Sequence, residues 1–283
     1  MAENRGTQNP ISVVNELTQQ VNALRTRVKF KTSLMIFIIA LLVMVTATLA
    51  WFTISGLAGT DGLDLNCTTG NDLRIATSNR GSDVNAYERK VTSEMVDAQL
   101  KQNSFKPLSE IKLAPLSTRN ASSNVGTRLF LQDGTERTTE GPKNGQFLQF
   151  SVWLISSNDT TVYLSDKESE SGKGDATKIT SDKKNNASQA NVVKATRVSF
   201  EPEGEATRIY ETESRPYASN QTNAFSNISG QTDTNKICTL KASTPKQVTI
   251  RVWIEGEDPL CIDNIQSSAF SIQLMFEGKR AGE

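Results

Sequence analysis

The chain has 283 residues, 31 basic and 31 acidic side chains, and no histidine. A formal net charge of zero leaves no overall field that would draw the protein to nucleic acid. Without histidine there is no Ser–His or Cys–His nucleophile pair and none of the usual imidazole-containing zinc sites. We therefore predict a non-catalytic protein without a cofactor, in which only carboxylates, lysines and oxygen ligands remain for chemistry.

The first 31 residues carry a heptad-like apolar seam. Its members are spaced three and four residues apart: Val14, Leu17, Val21, Leu24 and Val28. The spacing predicts a short coiled coil through which two copies could self-associate. The interpretation that we favour is an amphipathic helix on the inner membrane surface. In that case four basic residues would lie near anionic lipid: Arg25, Arg27, Lys29 and Lys31.

An uncharged apolar stretch follows at residues 33–52. As a helix it would cross a hydrocarbon core of about 30 Å. The apolar region of a cleaved secretory signal is only about 7–15 residues long, so we predict a retained signal-anchor helix over residues 32–55. Cleavage is the competing interpretation, because small residues occupy −3 and −1 positions twice, as Thr48 with Ala50 and Gly56 with Ala58.

The residues on either side of this stretch predict its orientation. Basic residues precede it, so the positive-inside rule places the N-terminus in the cytoplasm and the C-terminal bulk outside the cell. Trp51 and Phe52 would then lie at the outer interface, and Lys29 and Lys31 at the inner one. The lipid bilayer is the predicted partner.

Strand patterns dominate residues 59–283. Three segments have an apolar residue at every second position, which is typical of half-buried antiparallel strands: 148–154, 248–254 and 270–276. Shorter candidates are 62–66, 73–77, 128–132, 161–165, 196–201 and 207–211. Together they predict a mainly β extracellular domain, an antiparallel β-sandwich of the jelly-roll or Greek-key type.

Other segments of this region depart from the strand pattern. Residues 85–102 have apolar residues near helical spacing, which predicts a short helix. Two long polar stretches, residues 166–191 and 211–236, have too few apolar residues to build a core. We expect both to be exposed loops, longer than a compact domain usually carries.

The three cysteines, Cys67, Cys238 and Cys261, all lie on the predicted outside, where disulfides can form. A Cys238–Cys261 bridge is the favoured pairing, closing a loop of about 24 residues worth about 3 kcal/mol in the chain-entropy model. Cys67 would then be a free thiol suited to an intermolecular bond. Pairing of Cys67 with either other cysteine, and three reduced thiols, stay open.

An acidic turn separates the last two long strands, in the stretch EGEDPLCIDN. Its carboxylates, Glu255, Glu257, Asp258 and Asp263, are weak candidates for calcium ligands, because Ca²⁺ prefers oxygen donors. Their spacing matches no EF-hand loop, and Gly256 with the Asp258–Pro259 step is ordinary turn chemistry. We therefore favour a structural loop.

Two stretches carry a resemblance to a known group of proteins. They are TLAWFTISGLAGTDGLDL, which includes Ala50, Trp51 and Phe52, and VTIRVWIEGEDPLC with FSIQLMF. GQFLQFSVWL and VVKATRVSFEPEG fit the same pattern. The chain resembles Gram-positive bacterial surface proteins of the TasA and camelysin group. That resemblance implies a β-sandwich ectodomain and, in fibre-forming members, polymerisation by lending an N-terminal strand.

The chain departs from that group by its long N-terminal head, which puts leader cleavage and polymerisation in question. The proteolysis linked to camelysin is not carried over, since this chain has neither histidine nor an HExxH motif. We therefore expect a membrane-anchored cell-surface protein with a structural, adhesive or matrix role, self-associating through the heptad seam or by strand exchange. The alternative is a ligand-binding sensor that signals through the cytoplasmic coiled coil.

Overall fold

The computed structural model describes residues 59–67, 72–118, 128–168, 176–181, 187–213, 223–261 and 269–282, and Met35. The chain divides into two compact units, Met1–Ile54 and Ser55–Glu283. Within the described ranges, no helix has both the length and the apolar character needed to cross a membrane. The predicted heptad seam, membrane segment and interface residues Lys29, Lys31, Trp51 and Phe52 lie outside those ranges.

The second unit is mainly β. Its described strands are β1 (Gly59–Cys67), β2 (Arg74–Ala76), β3 (Lys90–Val91), β4 (Pro115–Leu116), β5 (Leu148–Ile155), β6 (Thr160–Leu164), β7 (Lys178–Ser181), β8 (Thr196–Pro202), β9 (Arg208–Glu211), β10 (Ala224–Phe225), β11 (Lys236–Leu240), β12 (Lys246–Glu255) and β13 (Ala269–Arg280). Two α-helices accompany them, α1 (Ser93–Gln102) and α2 (Ala187–Ala195).

These strands form two sheets. Sheet 1 has the order β11–β6–β13–β1–β3, with β7 also paired to β13. Sheet 2 has the order β10–β9–β8–β12–β5–β2, with β4 also paired to β12. Most pairs are antiparallel, but β1 with β13, β9 with β10, and β4 with β12 run parallel. A wholly antiparallel arrangement was therefore a wrong prediction. No short hairpin dictates the relative direction of β1 and β13, since the rest of the domain connects them.

Both sheets contribute to one hydrophobic cluster. The apolar positions predicted from alternation are its buried members on β5, β12 and β13, among them Phe150, Ile250 and Ile272. Phe200 of β8 and Phe276 of β13 meet edge to face, with ring centroids 5.9 Å apart and planes at 85°. This contact joins the two sheets directly.

The predicted helix is confirmed only in its second half. Helix α1 begins at Ser93, whereas residues 84–86 form a single 3-10 turn. The Asp83 side chain accepts a hydrogen bond from the Asn85 backbone N–H at 2.9 Å, which is a local alternative to helix. The Tyr87 hydroxyl then anchors the segment by accepting from the Arg80 N–H at 2.9 Å.

The strand predicted at residues 128–132 is wrong. Phe130 makes only isolated bridges, to Ser117 and to Glu136. An Asp–Gly turn folds the chain back at once, with Gly134 at φ 83°. Glycine adopts this left-handed conformation without the steric penalty that a side chain would bring.

Neither polar stretch is wholly an exposed loop, so that prediction is wrong for the parts that the structure describes. Within residues 166–191, β7 pairs with β13 and buries Ile179. Within residues 211–236, Phe225 of β10 is buried and packs on Tyr210, with ring centroids 5.7 Å apart. A short strand with one buried apolar residue can still form when it pairs with a neighbouring strand that supplies the rest of the buried surface.

Candidate functional site

The acidic turn lies at the end of β12 in the central part of sheet 2. Glu255 and Asp258 are buried, with relative exposures of 1% and 2%, and Glu257 is half-buried. Asp263 lies outside the described residues. Within the part of the chain that the structure describes, no group of three or more acidic, cysteine or histidine residues could hold a metal ion. The two buried carboxylates make contacts within the protein.

The main partner of Asp258 is Arg197 of β8, which no sequence pattern indicated. Its side chain is fully buried, opposite Trp253 in the β8–β12 register. Nη2 donates to Asp258 Oδ2 at 3.2 Å, and Nε lies 3.2 Å from Glu211 Oε2. Nη1 donates to the Lys194 carbonyl at 2.8 Å. The guanidinium thus ties β8, β9 and the acidic turn together.

Glu255 is the third carboxyl of this corner. The Trp253 indole N–H donates to Oε2 at 3.4 Å, and the Glu257 backbone N–H donates to Oε1 at 3.3 Å. Burial raises the pKa of Glu255, against opposing contributions from a Ser117 hydrogen bond and the charge of Arg197. Desolvation outweighs these contacts, so Glu255 holds its proton more tightly in the folded chain than in water.

We expect Glu255→Gln to remove a pH dependence of stability. A carboxyl whose pKa is higher in the folded state binds its proton more tightly there, so stability falls as pH rises from the unfolded value, about 4.3, through the folded pKa. Glutamine has no such proton. Denaturant unfolding between pH 5 and pH 8 should show a smaller decline for the variant than for the unmodified chain. An unchanged decline would contradict this assignment.

A polar strip, defined as Gln149, Ser199, Glu201 and Arg251, lies on the face of sheet 2 opposite to the one that carries Phe150 and Phe200. Arg251 Nε donates to Gln149 Oε1 at 2.7 Å, and Arg251 Nη1 donates to Glu201 Oε1 at 2.6 Å. The Ser199 hydroxyl donates to Glu201 Oε1 at 3.2 Å. Burial raises the pKa of Glu201, with Arg251 and Ser199 opposing it. These contacts make the strip a cross-strand ladder that ties β5, β12 and β8.

The three cysteines are free thiols, so the favoured Cys238–Cys261 bridge is not formed in this structure. Cys238 lies near the start of β12. The N–H of its neighbour Thr239 donates a hydrogen bond to Glu205, and Glu205 forms an ion pair with Lys246, the first residue of β12. Cys261 follows the turn at the other end of β12, where its N–H donates to the Asp258 carbonyl at 2.7 Å. Ten strand residues at about 3.3 Å each separate these ends. A disulfide needs Cα atoms within about 7 Å.

We expect the three thiols to react slowly in the folded chain. Burial raises the pKa of Cys238 and of Cys261 to about 12, and it also raises that of Cys67. The thiolate is the reactive form. Without added reductant, we expect an aromatic disulfide reagent at pH 7.5 to modify no thiol rapidly in the folded protein and all three in denaturant, counted by intact mass. A single reactive thiol in denaturant would instead show that two of the three cysteines are bridged.

Polar side chains form hydrogen bonds with backbone groups at the strand edges. The Gln99 amide donates to the Thr77 carbonyl at 2.5 Å and to the Ser151 carbonyl at 2.8 Å, and it accepts from the Ser151 N–H at 2.8 Å. Gln99 therefore continues β2 along β5 where the strand itself has ended. Glu205 occupies the Thr239 N–H of β11 in the same way. Occupied edges resist the addition of a foreign strand.

The remaining candidate is strand β1, the first described strand after the predicted membrane segment. It pairs with β13 over eight positions and with β3 over two. Comparison with protein-family models, curated proteins and solved structures finds no match for this chain. With no relative to indicate a function, the geometry of β1 and of the corner around Arg197 supplies the observations for a proposal.

Proposed function

We propose that the chain is a non-catalytic, membrane-anchored cell-surface protein with a structural, adhesive or matrix role. The observation that carries this proposal is strand β1. It follows the predicted anchor in the chain, and the parallel ladder with β13 holds it within the domain. The acidic turn also supports it, because Glu255 and Asp258 are engaged within the fold. Both features serve cohesion of the domain.

We further propose that the two sheets form a β-sandwich of the jelly-roll or Greek-key type. The shared hydrophobic cluster and the Phe200–Phe276 contact support two facing layers. Strands of the two sheets also alternate along the chain, as β5, β6, β8 and β11 do, so the chain passes repeatedly between the two sheets.

The anchor is tested by the intact mass of the protein in membrane and extracellular fractions of the cells that make it. A full-length chain in the membrane supports the predicted signal-anchor at residues 32–55. A chain beginning near Trp51 or Gly59 in the medium means that a leader is removed, and it favours a released fibre subunit. Concentration series of that released form then decide polymerisation, since persistent monomers contradict a fibre.

The sensor alternative rests on the heptad seam at residues 14–28, and a deletion separates it from the structural role. Removing residues 1–30 while keeping the apolar segment should leave surface display and adhesion intact if the domain acts outside the cell. Loss of function with normal surface display would favour signalling through the cytoplasmic helix.

A further inference from the structure

Strand β1 is arranged so that tension along the chain loads its whole ladder at once. The strand begins at Gly59 and runs parallel to β13, with register pairs from Gly59–Ala269 to Cys67–Phe276. A pull on the chain before Gly59 acts along the strand, while β13 holds it from the side. Hydrogen bonds of a parallel pair are evenly spaced along the strands. They therefore share such a load, whereas a pull across one end of a ladder breaks them one after another.

Side chains of β1 also oppose sliding. Leu63 and Leu65 are buried, with 1% and 0% exposure, in the cluster shared by both sheets. A slip of one residue would turn both side chains to the opposite face, because side chains alternate with period two along a strand. Any longitudinal movement of β1 therefore has to extract apolar surface from the core.

The opposite edge of β1 is fastened too. The Ser93 hydroxyl accepts from the Leu63 N–H at 3.0 Å and donates to the Leu63 carbonyl at 2.9 Å. The Cys67 N–H donates to the Arg89 carbonyl at 2.9 Å, and Lys90 pairs with Asp64 at 2.9 Å. Contacts on both edges thus hold the same short strand.

We propose that β1 is a load-bearing joint that transmits tension between the preceding chain and the domain. The inference rests on the proposed surface role, in which the chain before Gly59 is anchored and the domain is pulled from outside. The joint is mechanical and needs no ligand. Its resistance depends on direction, being greatest along β1.

The test is single-molecule force spectroscopy of the full-length chain in detergent. In the first arrangement, handles at the two chain termini pull Gly59 and Arg280 from opposite ends of the parallel ladder, in shear. In the control, the first handle is moved to Asn158, in the turn before β6. The Ala281 N–H donates to the Asp159 carbonyl at 3.0 Å, so both control handles lie at the same end of the β6–β13 ladder. That ladder is then peeled from one end.

At one loading rate, we expect the domain to unfold at a force at least about twofold higher between the termini than between Asn158 and the C-terminus, because bonds loaded together resist more than bonds loaded singly. Equal forces, or a lower force between the termini, would overturn the joint. The force ratio does not depend on where cells place the protein. A released chain in the fractionation experiment would overturn the anchor without changing the ratio.

Discussion

Replacing Arg197 with methionine is expected to lower the free energy of unfolding by about 3–5 kcal/mol. The guanidinium is fully buried and contacts both Asp258 and Glu211, each with less than a tenth of its surface exposed. Methionine fills much of the volume but leaves those carboxylates without a cation in a region that water does not reach. The cost is the penalty for burying unpaired charge. Denaturant unfolding at pH 7.5 measures it.

The matched control is Arg128→Met, which removes an arginine from an exposed ion pair with Glu136, whose side chains are 49% and 40% exposed. We expect a loss of no more than about 1 kcal/mol there, because water and salt screen an exposed pair. Similar losses in the two variants would show that Arg197 acts by packing alone.

Replacing Phe276 with alanine is expected to cost about 3–5 kcal/mol of unfolding free energy, since its ring is fully buried and the space left can close only in part. The same ring contacts Phe200 across the two sheets. The combined loss in the Phe200→Ala, Phe276→Ala double variant should therefore be smaller than the sum of the single losses by about 0.5–1.5 kcal/mol. Chemical denaturation of the four proteins gives this coupling.

Trp153→Ala provides the control for that cycle. Trp153 packs against the small separate cluster of Ala76, Tyr87 and Ile155. Its loss should add to that of Phe276→Ala within about 0.5 kcal/mol. Equal coupling free energies in both cycles would mean that the Phe200–Phe276 contact does not stabilise the packing of the two sheets. That result would weaken the proposed two-layer sandwich.

The corner around Arg197 and the strand β1 contribute to cohesion in different ways. Arg197 joins β8, β9 and the acidic turn through charge, and it does so equally for a free or an anchored domain. The β1 ladder matters most when the chain is pulled. Stability in denaturant and resistance to force are therefore separable properties of this domain, and Arg197→Met should alter the first more than the direction dependence of the second.

The strands β5, β12 and β13 were predictable because a strand with one buried face has apolar residues at every second position. The mainly β class follows from the same local pattern. The strands β7 and β10 were not predictable in this way, since each buries a single apolar residue within a polar stretch. The strand predicted at residues 128–132 was wrong for the opposite reason. The local pattern there is apolar, but an Asp–Gly turn follows before the bridges of Phe130 can extend into a ladder.

The positions of several carboxylates after a long strand, and of the apolar segment at residues 33–52 before β1, can be read from the sequence alone. The pairing of Asp258 with an arginine 61 residues away, and the parallel pairing of the first described strand with the last, are seen only in the folded chain. An ion pair or a parallel ladder between distant segments leaves no periodic trace in either one. The partner's position depends on how all the intervening strands pack.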